Sequence, residues 1–576
     1  MSCWICWVPW KMSRISLVLS ARSGQGAPTW PLTGHPVVPS VRAEGHSAQE
    51  PLGTNYREAM SEGWKNDTLD HSPGGDMHVK KGPDGRPTGP GSRDLSTRGT
   101  VLAAAAAAAA GVFAGWLIPR GPVTTLEAVV ALVAALGVGF VAGRLMGSRW
   151  ALLLVPVTFA LVFELVRLRI DGPTVDGVRL DGIYGVLMLI AGRGVDAILM
   201  LLPFTVGVGF GLVAFRRSSG SVPRHRWPGR ILLTLGAVTV LALLAALLRP
   251  ASTEQIATDG SIAELVDVRI GGHDQSILIR GRSADSPVLL YLEGGPGGTG
   301  IGRIRNAGTA LEQNFVVAVW DQRGTGKSYD ELGPTASLTV KQMVDDTLAV
   351  TDYLRERFGQ SKIYMVGSSW GTTLGVLAVQ REPEKFHAYV GTGQMVDQFA
   401  TDELMYAESL SDAEARGDND AAEKLRELGP PPYDDTLDYP LALSSNPKWL
   451  NFEHGDDYNA AAEYPASLFV AEYTLVEQLR GMGAIAETFH VLYPQLREID
   501  FREQVPRLEV PVFVVQGEHE ASGRSTLARE WFESLSAPDK NYVVFDQSGH
   551  TPPYDEPGRF AAYMRGVHDQ VEGQSP

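Results

Sequence analysis

The sequence predicts an α/β domain that follows an all-α, multi-span membrane region. Two observations support this: five apolar runs lie between residues 99 and 250, and from about residue 255 onward short apolar runs alternate with helical patterns. Strands that alternate with helices are typical of a parallel sheet, whereas apolar runs of about 20 residues can cross a bilayer. The chain of 576 residues also exceeds the roughly 100–200 residues of one domain.

Composition narrows the classes of partner and of site. The formal net charge is −16, which excludes nucleic acid as the expected partner. Cys3 and Cys6 are the only cysteines, so the body of the protein has no disulfide framework. Their Cys-x-x-Cys spacing lacks a second pair, and we expect neither a metal nor a redox site there.

Residues 1–98 are rich in Gly, Pro and Ser without periodicity, which predicts a disordered polar tail.

The membrane region, residues 99–250, is predicted to contain about five transmembrane helices. A further apolar stretch, residues 183–191, is too short to span alone and either re-enters the membrane or extends the fourth span. The five runs cover residues 101–118, 126–142, 150–166, 195–215 and 231–248.

Arginines in the connections predict the orientation. Arg144 and Arg149 follow the second run, and five arginines lie between residues 216 and 230. Because positively charged connections remain in the cytoplasm, the tail and these two connections are expected there. Five spans then place everything after Leu248 outside, which predicts a multi-pass protein of the cell membrane with an extracytoplasmic C-terminal domain.

The α/β pattern of residues 255–576 contains one large interruption. Residues from about 395 to 500 are helical, acidic and Pro-rich, which predicts a helical cap inserted over the carboxyl edge of the sheet. Strands are predicted on both sides of it, at residues 264–270, 275–280, 288–292, 315–320, 388–391, 510–516 and 542–545.

A Gly-x-Ser-x-Gly pattern centred on Ser369 lies between a predicted strand and a predicted helix. This arrangement is typical of the nucleophile elbow of α/β-hydrolases. Side chains at Gly367 and Gly371 would collide with the neighbouring strand and helix, and the serine takes a strained backbone conformation. Ser369 is therefore the predicted nucleophile.

A serine nucleophile needs a base and an orienting carboxylate, in the chain order serine, acid, histidine. His550 follows the last predicted strand in a Gly-His pair, where a catalytic histidine is needed. The preceding strand is followed by Glu518 and Glu520. Glu520, three residues beyond Gly517, is the preferred acid, and Glu518 is the alternative.

Acyl transfer also needs N–H donors that face the developing oxyanion. One is predicted to be the backbone N–H of Trp370, which follows the nucleophile. The second is expected from the Gly-rich loop after the third predicted strand, with Gly295 preferred and Gly294 as the alternative.

Residues 324–328 resemble the end of a phosphate-binding loop, but Asp321 stands where that loop requires glycine. We therefore do not expect a nucleotide-binding site there.

Three motifs lie in order within about residues 260–570. They are Gly294-Gly295-Pro296-Gly297-Gly298, Trp320-Asp321-Gln322-Arg323-Gly324-Thr325-Gly326-Lys327-Ser328 and Gly367-Ser368-Ser369-Trp370-Gly371-Thr372. Together they resemble the prolyl iminopeptidase (proline aminopeptidase) branch of the α/β-hydrolases. The resemblance implies a serine peptidase that releases an N-terminal residue, often proline, without a metal or organic cofactor. It also implies a helical cap.

In that family, cap carboxylates help to bind the free amino group of the substrate. Asp402, Glu403 and Glu408 are the candidates here, although each is equally well explained as a solvated helix charge. Glu293 replaces the family's histidine before the glycines and is either a contact to the substrate amine or a structural change. The usual acid of the family is aspartate, whereas Glu520 stands here, so specificity for proline is open.

The expected partners are a small peptide or acyl substrate and the lipid bilayer, with no nucleic acid. The first alternative is an esterase or lipase-like hydrolase of small acyl esters that uses the same three residues. The second is a non-enzymatic sensor or transport accessory, which an intact triad disfavours.

Overall fold

The computed structural model describes residues 90–168, 180, 183–220, 227–329, 337–433, 435–439, 442 and 467–573. The tail predicted for residues 1–98 lies outside these ranges up to residue 89, and the first helix already begins at Pro90. Proline at the start of a helix is common because its missing N–H has no partner there in any case. Part of the predicted cap, residues 443–466, also lies outside the description.

Within the described ranges, six α-helices precede the first strand. The π-helix Ala197–Leu201 joins the fourth to the fifth. The six are α1 Pro90–Leu117, α2 Thr125–Met146, α3 Ala151–Arg167, α4 Ile183–Asp196, α5 Leu202–Ser218 and α6 Trp227–Leu247.

Four helical stretches in the described ranges are long and apolar enough to cross a membrane. The third run predicted from the sequence is helix α3, which has 17 residues and is therefore shorter than the ~20 of a typical span. The short stretch at residues 183–191 lies in α4 and extends the fourth run. Of the two alternatives predicted for this stretch, the structure therefore shows the extension. The four stretches are Thr97–Leu117, Thr125–Met146, Gly185–Ser218 and Trp227–Leu247.

Helices α2 and α5 approach each other unusually closely. A Cβ atom on Gly139 would lie 2.1 Å from the carbonyl oxygen of Phe204, and one on Gly143 would lie 2.2 Å from that of Val208. Only glycine permits this approach, and small residues four apart are typical of helix pairs in membranes. The numbers of the contacting residues increase together along both helices, so α2 and α5 run in the same direction.

The other helices alternate with this pair in direction. Gly111 and Gly115 of α1 lie against Phe159 and Phe163 of α3, so α1 and α3 also run parallel to each other. The start of α1 lies beside the end of α2, since a Cβ atom on Gly99 would lie 2.5 Å from the carbonyl oxygen of residue 145. Helices α5 and α6 run antiparallel to each other. The chain therefore enters α1 and leaves α6 at opposite ends of the helical region.

The C-terminal domain contains one eight-stranded sheet in the order β1-β2-β4-β3-β5-β6-β7-β8. β1 and β2 form an antiparallel hairpin, β2 pairs antiparallel with β4, and the remaining pairs are parallel. Each predicted strand has its counterpart. The strands are β1 Ile262–Ile270, β2 His273–Gly281, β3 Val288–Leu292, β4 Val316–Trp320, β5 Ile363–Ser368, β6 Phe386–Thr392, β7 Val512–Gly517 and β8 Lys540–Phe545.

Helices cover the sheet, and a group of them between β6 and β7 forms the cap. The helices on the sheet are α7 Gly300–Ala307, α8 Val340–Phe358, α9 Trp370–Arg381, α13 Phe501–Gln504, α14 Ser522–Ser534, α15 Pro552–Asp555 and α16 Pro557–Gly573. The cap contains α10 Gln398–Arg416, α11 Asn419–Leu428 and α12 Leu475–Leu492.

The hydrophobic core lies on both faces of the sheet. Along β3, Leu290 and Leu292 belong to one apolar cluster, whereas Leu289 and Tyr291 belong to the other, and all four are fully buried. Alternate residues of a strand point to opposite faces, so a continuous apolar run is the pattern of a strand covered on both sides. The carboxyl ends of the central parallel strands consequently meet at one edge, and the candidate site lies there.

Candidate active site

Ser369 occupies a strained turn between β5 and α9. Its φ is 52° and its ψ is −119°, and no other non-glycine residue in the described ranges has a positive φ. A Cβ atom on Gly367 would lie 2.6 Å from the carbonyl oxygen of Gly371, and one on Gly371 would lie 2.1 Å from that of Leu292. Both flanking positions therefore require glycine, and the turn has the backbone geometry predicted for a nucleophile elbow.

His550 and Glu520 lie at the ends of the neighbouring strands β8 and β7. The Nδ1 atom of His550 is 2.6 Å from Oε2 of Glu520, and both side chains are buried. Glu518, the alternative acid, is exposed. A carboxylate at Nδ1 holds the proton on that nitrogen, so Nε2 is the free acceptor. Of the two predicted carboxylates, the structure brings only Glu520 to His550.

Ser369 and His550 flank the turn that follows β6. The backbone N–H of Ser369 donates to the carbonyl oxygen of Thr392 over 2.9 Å. A Cβ atom on the next residue, Gly393, would lie 2.8 Å from Cε1 of His550. The Nε2 atom of His550 is buried and has no hydrogen-bond partner in the described part of the chain. Hydrogen bonds between a nucleophile and its base often form only when substrate is bound.

Arg524 is a third neighbour of this pair and was not predicted from the sequence. Its Nη1 atom donates to Oε1 of Glu520 over 2.9 Å and lies 3.2 Å from Nδ1 of His550. The backbone N–H of Ala521 donates to the same Oε1 atom over 2.9 Å. The spacing in the sequence could have indicated this contact, because residue 524 lies one helical turn beyond Glu520 at the start of α14.

The surroundings set the charge states of Glu520 and His550. Burial alone would raise the pKa of Glu520, but the positive charges of His550 and Arg524 and the hydrogen bonds to the carboxylate hold that pKa well below its usual range. Burial lowers the pKa of His550, an effect that Glu520 opposes and Arg524 reinforces. At neutral pH the imidazole is therefore neutral and the carboxylate charged, as a general base and its orienting acid require.

The Gly-rich loop after β3 lies against the elbow. Gly295 has a φ of 135°, and a Cβ atom on it would lie 2.4 Å from the backbone nitrogen of Gly297. A Cβ atom on Gly294 would lie 3.1 Å from Cβ of Ser369. Gly295, Ser369 and Trp370 line the same pocket. The two predicted N–H donors are therefore next to the predicted nucleophile.

Gln322 connects the elbow to this loop. The indole N–H of Trp370 donates to Oε1 of Gln322 over 2.8 Å, and Nε2 of Gln322 donates to the carbonyl oxygen of Glu293 over 3.0 Å. One buried amide thus bridges the residue after the nucleophile and the residue before the glycines. This role could not be deduced from the position of Gln322 in its motif alone.

The family model described as "alpha/beta hydrolase fold" matches residues 287–557. The C-terminal domain has the α/β-hydrolase fold. "Probable aminopeptidase YbaC" of Bacillus subtilis is 29% identical over 305 residues, which are 52% of this chain and 95% of that protein. A proline iminopeptidase of Heyndrickxia coagulans is 21% identical over 293 residues, which are 48% of this chain and 89% of that protein.

A solved structure is also similar to part of this chain. The proline iminopeptidase-related protein of Thermus thermophilus has 21% sequence identity and a TM-score of 0.39. The match covers 54% of this chain and 98% of that structure.

The pocket of the α/β-hydrolase domain is small and largely covered by the cap. It encloses about 10 Å³, which is room for about one water molecule. Its apolar wall comes mainly from residues of the cap, of the Gly-rich loop and of the turn at Ser369. The lining residues are Gly295, Pro296, Ser369, Trp370, Thr373, Met395, Gln398, Tyr439, Phe489, Leu496 and Arg524.

None of the predicted substrate carboxylates lines this pocket. Asp402 is buried directly behind it: Oδ1 accepts from Gln398 over 2.6 Å and Oδ2 accepts from Tyr493 over 2.5 Å. Burial raises the pKa of Asp402 to about 7. Glu403 is exposed on α10, and Glu408 accepts a hydrogen bond from the hydroxyl of Ser522 on α14.

Glu293 is buried directly before the Gly-rich loop. It forms an ion pair with Arg303 at 3.2 Å and accepts a hydrogen bond from the hydroxyl of Tyr554. Of the two readings of this replacement, these contacts favour the structural one, because both carboxylate oxygens bind protein groups.

Proposed function

We propose that this protein is a membrane-anchored serine hydrolase, and that it acts as an aminopeptidase that releases an N-terminal residue, of the proline type. The observation that carries the proposal is the buried contact between Glu520 and Nδ1 of His550, at the sheet edge that holds the strained Ser369. Relatives named aminopeptidase and proline iminopeptidase support the choice of substrate class.

The proposed reaction follows from these groups. Nε2 of His550 removes the proton of Ser369 Oγ while Oγ bonds to the carbonyl carbon of the scissile amide. The N–H groups of Gly295 and Trp370 stabilise the oxyanion, and Glu520 stabilises the imidazolium. His550 then protonates the leaving amine, the C–N bond breaks, and an acyl-enzyme ester remains. Water, deprotonated by His550, cleaves this ester and restores Ser369.

The proposed organisation is a polar tail at residues 1–98, a membrane region at 99–250 with about five crossings, and a hydrolase domain at 255–576 with its cap at about 395–500. Helix α3 is short, but it lies beside α1 and runs parallel to it, which supports counting it as a crossing. An odd number of crossings, with the Arg-rich connections in the cytoplasm, supports an extracytoplasmic hydrolase domain.

The activity can be tested with the full chain in detergent micelles. Aminoacyl chromogenic amides, prolyl amide included, are compared with short acyl esters, and a fluorophosphonate reports a reactive serine. We expect turnover of amides with a free amino group, and both turnover and labelling should be lost in Ser369→Ala. The adjacent Ser368→Ala variant is the matched control and should still be labelled. Turnover of esters alone would favour the esterase, and absence of labelling would refute the serine mechanism.

The proposed sidedness has its own test. Protease added to intact cells should remove the hydrolase domain, whereas the same domain should resist digestion if it lies in the cytoplasm. A domain that is digested only after the cells are lysed would contradict the proposed orientation.

A further inference from the structure

Cap helix α12 contacts the membrane region at one end and the active site at the other. Near its N-terminus, Val476 is buried in an apolar cluster with Leu132 of α2, Leu199 of the π-helix and Leu247 of α6. Leu475 and Leu479 pack against the same cluster. The first turn and a half of the helix is thus held by residues of the helical N-terminal region.

Arg480 adds a polar connection next to this cluster. Its guanidinium donates to the carbonyl oxygens of Arg120 and Pro122, in the loop between α1 and α2. It also donates to the hydroxyl of Tyr329 and lies 4.3 Å above the ring of that residue. Arg480 is buried, and one side chain therefore joins the cap, the loop α1–α2 and the hydrolase core.

A second connection lies two turns further along the helix. The hydroxyl of Tyr329 donates to Oε2 of Glu487 over 2.7 Å. The same carboxylate oxygen lies 3.6 Å from Nη1 of Arg120. Since Arg480 and Glu487 both contact Arg120 and Tyr329, they fix the position of α12 along its axis as well as its rotation.

The C-terminal half of α12 lies against the Gly-rich loop. A Cβ atom on Gly297 would lie 2.8 Å from Cα of Ile485 and 3.1 Å from Cβ of Thr488. Thr488 Oγ1 donates to the carbonyl oxygen of Gly324 over 2.9 Å, and Phe489 lines the pocket. With no space between the backbone of α12 and the loop, a displacement of the helix displaces the loop that carries Gly295.

Gly121 is the point at which the membrane region meets Arg480. Its φ is 81°, and a Cβ atom on it would lie 3.2 Å from Nη1 of Arg480 and 3.3 Å from Oδ1 of Asp196. Asp196 in turn pairs with Arg167 of α3. A methyl group at residue 121 would therefore press on Arg480 from the membrane side without any change in the hydrolase domain.

We propose that Arg480 is a positioning residue through which the membrane region sets the placement of α12, and with it the oxyanion donor of Gly295. The claim about catalysis rests on the proposed function, because it assigns Gly295 a role in turnover. The claim about position does not, since it concerns the contacts of α12 alone.

The test uses the full chain and two substitutions on opposite sides of the contact, Arg480→Met and Gly121→Ala. A displaced oxyanion donor lowers the rate of the chemical step, so we expect kcat to fall by about tenfold in each, with KM within about twofold. Because both act on one contact, the double variant should lose little more than either single one. Arg480→Lys, which retains a charge and a donor, should recover part of the loss.

Two matched controls separate this effect from general damage. Arg497→Met removes another cap arginine that donates to a backbone carbonyl, that of Tyr433. Gly220→Ala places a methyl group at a glycine with a φ of 67° and open space around it. Both should keep the kcat of the unsubstituted protein. Equal losses in the controls, or additive losses in the double variant, would overturn the proposal.

Hydrogen–deuterium exchange gives an outcome that does not depend on activity. Amides of residues 294–298 and 485–492 should exchange faster in Arg480→Met than in Arg497→Met. Unchanged exchange would refute the positioning role even if the protein turns out to have another activity. Faster exchange without any fluorophosphonate labelling would support the positioning role and refute the proposed function instead.

Discussion

Replacing Arg524 by methionine should move the acid limb of the pH–rate profile to higher pH. Arg524 is buried, binds Glu520 and lies 3.2 Å from Nδ1 of His550. Its positive charge opposes protonation of the imidazole, so its removal makes the imidazolium less unfavourable and raises the pKa of His550. In the proposed mechanism the base His550 is active only when neutral, and activity should therefore be lost at a higher pH in the variant.

The size of the shift can be worked out from this distance. Two unit charges 3.2 Å apart interact by about 5 kcal/mol at an effective dielectric constant of about 20. One pKa unit corresponds to about 1.4 kcal/mol, which gives an upper limit of about four units. The guanidinium charge is spread over three nitrogens, and Glu520 neutralises part of it. We therefore expect a shift of about one unit.

The assay is the pH dependence of kcat/KM for a chromogenic substrate, measured with the full chain. Arg524→Lys keeps a positive charge and should leave the limb close to its original position. Arg529→Met removes an exposed arginine of the same helix that stacks on Tyr542, and it serves as the control for lost charge alone. An acid limb that stays in place in Arg524→Met, or that moves to lower pH, would refute the electrostatic argument.

Three further substitutions, the first with a matched control, have definite expected results. Glu520→Gln should lower kcat by about 10³–10⁴-fold because the tautomer of His550 is no longer fixed, and Glu518→Gln should change it less than twofold in the same assay. Gly295→Ala should lower kcat by about 10²-fold, since a side chain at a φ of 135° displaces the proposed oxyanion donor, and this is checked by single-turnover acylation. Asp346→Ala leaves Arg323 buried without its carboxylate partner and should destabilise the domain by about 3–5 kcal/mol in chemical denaturation.

The sequence predicted the parts of the site that depend on local order. A strand, a strained turn and a helix are consecutive in the chain, so the elbow at Ser369 could be predicted from five residues and their flanks. The strands before Glu520 and His550 are neighbours in a parallel sheet, and their carboxyl ends are adjacent by topology alone. Of Glu518 and Glu520, only Glu520 is buried against His550, and its role as the catalytic acid stays a prediction.

Contacts between distant parts of the chain could not be predicted in this way. Arg480 and Arg120 are separated by 360 positions, and nothing in either local pattern indicates that they meet. The cap carboxylates show that even the burial of two adjacent residues is hard to predict from the sequence. Asp402 and Glu403 are adjacent in α10, yet the first is buried and the second is exposed, because the packing of the helix decides which of its faces is covered.

The contacts of the described cap helices also indicate what a rearrangement for substrate entry would cost. A pocket of about 10 Å³ admits about one water molecule, so an aminoacyl residue cannot bind without some rearrangement. Helix α12 is held by the apolar cluster around Val476 and by Arg480, and its movement would break buried contacts with the helical N-terminal region. Helix α10 is also held by buried contacts, because Met405 clusters with Ala521 beside α14 and Asp402 accepts a hydrogen bond from Tyr493. The hydrogen bond from Ser522 to Glu408 lies at a partly exposed surface and is less costly to lose. A rearrangement of either cap helix that admits substrate therefore breaks buried contacts, and the binding of substrate has to offset that cost.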